Sequence, residues 1–286
     1  MAASFEEAKV TVPSVEASKG ERKLAMVTAY DYTFAHIADH SGVDLLLVGD
    51  SLAMVVQGHE NTLGVTMDEM IYHTRMVARG RERALVIGDM PFMSYHVSPQ
   101  DAVVNAGRLI KEGEAEAVKL EGGVNMADTV ARLVDVDIQV CGHIGLTPQS
   151  IHRMGGHKVQ GRRSGKTPGA RDRLFADARA LEDAGAFAIV IEGVPADLAR
   201  DITAEISVPT IGIGAGVACD GQVLVINDVL GLEQRIKPKF VKRYADLGTL
   251  AGDAIATYVS EVRDGSFPTA GHEFSSPRPL RLEKKA

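Results

Sequence analysis

The sequence predicts an α/β protein folded as a closed (β/α)8 barrel of the TIM type with parallel strands, and three observations carry that expectation. Eight short runs rich in Val, Ile and Leu recur at residues 25–29, 44–49, 84–88, 117–121, 138–142, 187–192, 210–214 and 222–226. They are apolar throughout rather than alternating, the pattern of strands covered on both faces. Helical stretches stand between them, and strands alternating with helices imply right-handed parallel crossovers. Eight such units in about 250 residues match the size of a closed barrel. An open doubly wound sheet is the competing arrangement.

Taken in order, residues 1–22 are polar and mixed, a loosely held arm with one helix over 10–19. The catalytic barrel is expected over 23–264. Thr66 and Glu69 have capping-box spacing ahead of a helix at 70–79, and Ser98, Pro99 and Asp101 open the next one. Further helices are read at 171–184, 195–206 and 245–263, while Gly42, Gly80, Gly113 and Gly185 sit where helices should stop. Residues 265–286 turn to Gly, Pro, Ser and His and then to a charged end, a tail beyond the barrel.

Composition narrows the function. A net charge of -7 and a pI near 5.7 argue against a general nucleic-acid surface, which needs a basic stripe to neutralise phosphates. Small-molecule substrates fit better. Cys141 and Cys219 are the only cysteines, and the first twenty residues hold no apolar stretch ahead of a cleavage site, so a reducing cytoplasmic setting is expected. Nowhere do about 18 apolar residues run without a charge, so no membrane span is expected.

The chemistry is expected at the C-terminal ends of the strands. Residues 117–123 read Ala-Val-Lys-Leu-Glu-Gly-Gly; on a strand, Lys119 and Glu121 share one face and Val118 and Leu120 the other. Strand two ends in Asp50-Ser51, strand three in Asp89, strand five in His143 and strand six in Glu192. Neighbouring strands lie about 4.8 Å apart, so Asp50, Asp89 and Glu121 fall within roughly 10 Å of one another. Three converging carboxylates with one lysine suit a hard divalent cation that keeps some waters, magnesium first. Taken singly, Asp50 or Asp89 would serve as a helix cap, His143 as a satisfied core histidine and Glu192 as a solvated strand end. Independent accidents falling on five consecutive strands, strand four with Lys119 and Glu121 included, make the poorer account. Gly212-Ile-Gly-Ala-Gly216 lacks dinucleotide-loop spacing and reads as tight backbone, and Gly161-Arg-Arg-Ser-Gly-Lys-Thr167 is one residue short of a P-loop and follows no strand. The methionines at helical spacing read as core.

Val48-Gly-Asp-Ser51, Gly88-Asp89, Lys119-Leu-Glu-Gly-Gly123, Gly142-His-Ile-Gly-Leu-Thr-Pro-Gln149 and Ile211-Gly-Ile-Gly-Ala-Gly216 together resemble the ketopantoate hydroxymethyltransferase family. Asp68-Glu-Met-Ile-Tyr-His-Thr-Arg75 and Cys219-Asp-Gly-Gln-Val223 extend the resemblance, which runs from about Ala25 to Phe274. It implies hydroxymethyl transfer from 5,10-methylenetetrahydrofolate to 3-methyl-2-oxobutanoate, giving 2-dehydropantoate in pantothenate biosynthesis. It implies Mg2+ on Asp50, Asp89 and Glu121, and keto-acid contacts from Asp50, Ser51, Asp89 and Lys119. Glu192 is the implied proton acceptor, with His143 placed beside the substrate oxygens. A homo-oligomer, a decamer of stacked rings, is implied too. The alternatives are another magnesium keto-acid barrel of the phosphoenolpyruvate mutase and isocitrate lyase type, or a non-catalytic barrel binding a keto acid or metal. The first typically needs a catalytic cysteine in a context that neither Cys141 nor Cys219 has, and the second has no evident use for Glu192. Finally, the long 147–170 connection carries Arg153, Lys158, Arg162, Arg163 and Lys166. Arg162 and Arg163 are read as holding the donor's anionic glutamate tail, against subunit contacts or solvent exposure.

Overall fold

Eight parallel strands close on themselves, each paired with the next and β8 with β1. They are β1 (Leu24–Thr28), β2 (Leu45–Val48), β3 (Leu85–Asp89), β4 (Ala117–Glu121), β5 (Val140–Gly145), β6 (Ala188–Glu192), β7 (Thr210–Ile213) and β8 (Gly221–Leu224). Around them lie α1 (Val12–Glu16), α2 (Tyr32–His40), α3 (Leu52–Val55), α4 (Met67–Gly80), α5 (Pro99–Lys111), α6 (Ala127–Val134) and α7 (Ile151–Met154). The rest are α8 (Ala170–Asp183), α9 (Ala196–Glu205), α10 (Ile226–Val229) and α11 (Leu247–Asp264). This computed structural model describes residues 8–162, 169–233, 235 and 238–274.

Strand parity sorts the core into two layers. Leu46, Val48, Val86, Val118, Leu120, Ile189 and Ile191 pack outward against the helices. Leu45, Leu47, Leu85, Ile87, Ala117, Cys141, Ala188 and Val190 fill the barrel interior. The helices start where their caps dictate. Thr66 and Glu69 form the capping box of α4, which begins at Met67, and Ser98 accepts from the Asp101 amide to open α5 at Pro99.

Four features depart from the sequence reading. The N-terminal segment is no loose arm over its described part, because Val10 and Val15 are buried within the interior cluster and α1 closes the floor of the barrel. Strand five is shifted. Asp137 adopts a left-handed φ of 64° and the Ile138 amide bonds back to Leu133 at the end of α6, so β5 starts at Val140 and carries His143 inside the strand. Gly214–Asp220 joins β7 to β8 without a helix. Lastly, α11 has no buried residue, and Leu250, Ile255 and Tyr258 are each more than half exposed.

Candidate active site

The interior faces of β3 to β6 change character on the way up. Leu85 and Ile87 lead to Asp89, Ala117 to Lys119 and Glu121, Cys141 to His143, and Ala188 and Val190 to Glu192. Pairing sets Asp89 beside Lys119, and Glu121 beside His143, on neighbouring strands. Asp50 and Ser51 come from the tight turn between β2 and α3. All seven residues line one cavity of about 490 Å3, with the apolar layers as its floor. The sequence reading expected Asp50, Asp89 and Glu121 to converge at this end of the barrel, and the cavity brings them together with Ser51, Lys119, His143 and Glu192.

Asp89 Oδ1 lies 3.0 Å from Lys119 Nζ, an ion pair rather than an aligned hydrogen bond, and Asp89 Oδ2 accepts the Asp50 amide at 3.2 Å. His143 stands between two acids, with Nδ1 3.5 Å from Glu121 Oε1 and Nε2 3.2 Å from Glu192 Oε2. One imidazole thus stands between Glu192 and the acid cluster and links them. Tyr30 and Ser51 share a hydroxyl hydrogen bond of 2.9 Å.

Burial governs the electrostatics. It raises the Asp50 carboxyl well above the usual range, and the charges of Asp89 and Glu121 add to the effect. Asp89 is also raised by burial, against the opposing pull of Lys119. Burial works against a charged Lys119, but Asp89, Glu121 and Asp50 outweigh it and hold the ammonium charged. Burial and Lys119 likewise oppose a charged His143, yet Glu121 and Glu192 outweigh them and raise its pKa to about 9. Cys141 is different: burial pushes its thiol up to about 12, far from a reactive thiolate.

The oxygen donors fit a hard cation. Protein donors hold Asp50 Oδ2, Asp89 Oδ2 and Glu121 Oε2, while the second oxygen of each carboxylate has no aligned hydrogen-bond donor among the described residues. Buried carboxylates crowded in this way are relieved by positive charge. Sequence reasoning missed two polar residues here. Gln149 lay in a quoted motif without a role, and Tyr95, in the β3–α5 loop, was not singled out; both are buried against the acids.

A family model described as ketopantoate hydroxymethyltransferase matches residues 9–270. The chain belongs to the ketopantoate hydroxymethyltransferase family. It is 58% identical over 268 residues to the 3-methyl-2-oxobutanoate hydroxymethyltransferase of Pelobacter propionicus, covering 93% of this chain and 98% of that one. The enzyme of that name from Geobacter sulfurreducens is 60% identical over 253 residues, covering 88% and 93%. Among solved structures, phosphonopyruvate hydrolase in complex with oxalate and Mg2+ superposes with a TM-score of 0.58 over 91% of this chain and 92% of that one. At 12% identity this likeness concerns the fold alone.

In this ketopantoate hydroxymethyltransferase-family barrel a second cavity, of about 610 Å3, adjoins the first and shares Val159, Gly214 and Lys239 with it. Arg162, Arg171 and Asp197 also line it, and Arg171 pairs with Asp197 at 3.1 Å. Arg163 and Lys166 lie outside the described residues. The backbone after β7 is tight, as read from the sequence, with Gly214 and Gly216 at positive φ of 60° and 89°.

Proposed function

We propose that the cavity transfers a hydroxymethyl group from 5,10-methylenetetrahydrofolate to 3-methyl-2-oxobutanoate, with Mg2+ held by Asp50, Asp89 and Glu121. The observation that carries the reading is the set of cavity-facing carboxylate oxygens beside Lys119, in a chain of this family. The acids and histidines do not by themselves close round one point among the described residues. Water and the substrate's own oxygens would complete the shell, as magnesium commonly requires. When bound, the cation supplies polarisation of the 2-oxo group, which brings removal of the C3 proton within reach near neutral pH.

The chain's own groups do the rest. Lys119 and Ser51 hold the substrate carboxylate, Lys119 as a buried ammonium and Ser51 as a hydroxyl backed by Tyr30. Glu192 takes the C3 proton as general base. His143 orients it from 3.2 Å and ties it to Glu121. The resulting C3 carbanion attacks the donor's methylene carbon as one of its two carbon–nitrogen bonds breaks, and water then displaces the second nitrogen, its oxygen staying as the hydroxyl of the hydroxymethyl group as tetrahydrofolate leaves. A catalytic cysteine, as in a mutase or lyase alternative, finds no candidate in buried Cys141 or Cys219. The deciding experiment is magnesium-dependent exchange of the C3 hydrogen of 3-methyl-2-oxobutanoate in heavy water, with and without tetrahydrofolate. Absence of exchange under all conditions would remove the reading.

The second cavity supports the folate donor. Arg162 and Lys239 have no ion-pair partner among the described residues and stand where an extended donor would leave the first cavity. Arg162→Ala combined with Lys239→Gln is expected to abolish a several-fold preference for polyglutamylated over monoglutamyl donor, while KM for the keto acid stays put. Added salt should mimic the variant. Equal loss for both donors would assign the two cations another role.

No helix among the described residues is long and apolar enough to cross a membrane. The outward apolar face of α11 supports a homo-oligomer, since such a face on a barrel's last helix needs cover. The decamer rests on the resemblance alone. Sedimentation velocity at micromolar concentration should show an assembly larger than the 30.5 kDa chain; a monomer refutes the assignment.

A further inference from the structure

Gln149 closes a ring of hydrogen bonds beneath two of the carboxylates. Its side-chain Nε2 donates to Asp50 Oδ2 at 2.9 Å and to the Met90 carbonyl at 3.0 Å, which uses both amide hydrogens. Its Oε1 accepts the Tyr95 hydroxyl at 2.6 Å, and its backbone N–H donates to Glu121 Oε2 at 3.0 Å. The Tyr95 oxygen in turn accepts the backbone N–H of Glu121 at 3.1 Å. Gln149 is 5% exposed and Tyr95 1%, so neither exchanges these partners for bulk water.

The ring permits one orientation of the amide. Flipped, Oε1 would face the Asp50 carboxylate and the Met90 carbonyl, both acceptors, at a cost paid in two buried hydrogen bonds. Asp50 and Met90 therefore set the amide's orientation and Tyr95 anchors its oxygen; the side chain occupies one oxygen of Asp50, and the backbone N–H one oxygen of Glu121. That leaves Asp50 Oδ1 without a protein donor among the described residues, while Glu121 Oε1 faces His143 Nδ1 at 3.5 Å. An amide suits the task because it donates without charge. A lysine here would neutralise an acid and compete with a cation, and a fourth carboxylate would add repulsion to groups already crowded.

We propose that Gln149, its side-chain amide anchored by Tyr95, is a positioning residue that selects which carboxylate oxygen of Asp50 is presented to the divalent cation. The inference rests on the magnesium reading of this site. It predicts that losing the ring weakens metal binding before it affects the chemical step.

The test measures Mn2+ binding by electron paramagnetic resonance on the full chain, for the parent, Gln149→Ala and Tyr95→Phe. Gln149→Ala should weaken Mn2+ by about 10–100-fold, the range for loss of an outer-shell partner. Tyr95→Phe, which removes the hydrogen bond anchoring the amide oxygen, should weaken it by about 2–10-fold, the worth of one hydrogen bond. Turnover should follow suit: the metal concentration for half activity rises, and kcat at saturating Mg2+ recovers to within a few-fold of the parent. Melting curves run in parallel identify any loss of fold. Should Gln149→Ala fail to fold, Tyr95→Phe decides alone. Parent-like Mn2+ affinity in a folded Tyr95→Phe and Gln149→Ala, or lost kcat that no metal restores, would overturn the inference and leave a purely structural role. A parent that binds no Mn2+ would remove the magnesium reading itself, and this inference with it.

Discussion

Glu192→Gln should fold, bind the keto acid and metal like the parent, and exchange the C3 hydrogen about 10²–10⁴-fold more slowly, the usual worth of a positioned general base. The amide keeps the size of the side chain and removes its capacity to take a proton. Glu192 is the most open of the charged groups around His143, with its side chain 17% exposed against 4% for Glu121 and 5% for Lys119. Of these three it is thus the most accessible from the cavity they line. Proton NMR in heavy water gives the exchange rate directly. Parent-like exchange in the variant would mean that another group takes the proton.

Asp89→Asn addresses the metal. Here the expected loss in Mg2+ affinity and activity is at least the roughly 10–100-fold seen for outer-shell partners, with partial rescue by raised Mg2+ or by Mn2+. Asp89 holds the Asp50 amide through Oδ2 and faces Lys119 through Oδ1. An asparagine can keep the first contact, so the turn carrying Asp50 stays in place. Lys119 retains the charges of Glu121 and Asp50, and removing one of several crowded acids relieves repulsion, so the melting temperature should move little. Isothermal titration with Mg2+ separates the outcomes. Undiminished binding and turnover would remove Asp89 from the metal site.

The two predictions concern residues that were visible before any coordinates, and the reason is local. A lysine and a glutamate two apart on an otherwise apolar strand, or an acid at a strand end, stand out because burying charge without compensation is costly. Tyr95 and Gln149 carry no such mark. A neutral tyrosine or glutamine in a loop is ordinary, and only the folded chain shows that the β3–α5 and β5–α7 loops bring them to within hydrogen-bond distance of each other. Arg162 was legible as a cation in a long connection, whereas Lys239, its neighbour in the second cavity, comes from a distant part of the chain.

What this chain's sequence determined alone was whatever repeats at short range. Eight apolar runs with intervening helical periods specify the strands, the caps at Thr66 and Ser98 specify helix starts, and strand parity puts Lys119 and Glu121 on one face. Tertiary structure decided everything that depends on closure. Closing the barrel placed Val15 in its floor, and the turn after α6 delayed β5 until His143 fell within it. The same closure set His143 between Glu121 and Glu192, and Gln149 between Asp50 and Tyr95. Such contacts join residues as many as 99 positions apart, and no local periodicity encodes the angle at which two loops meet over a barrel mouth.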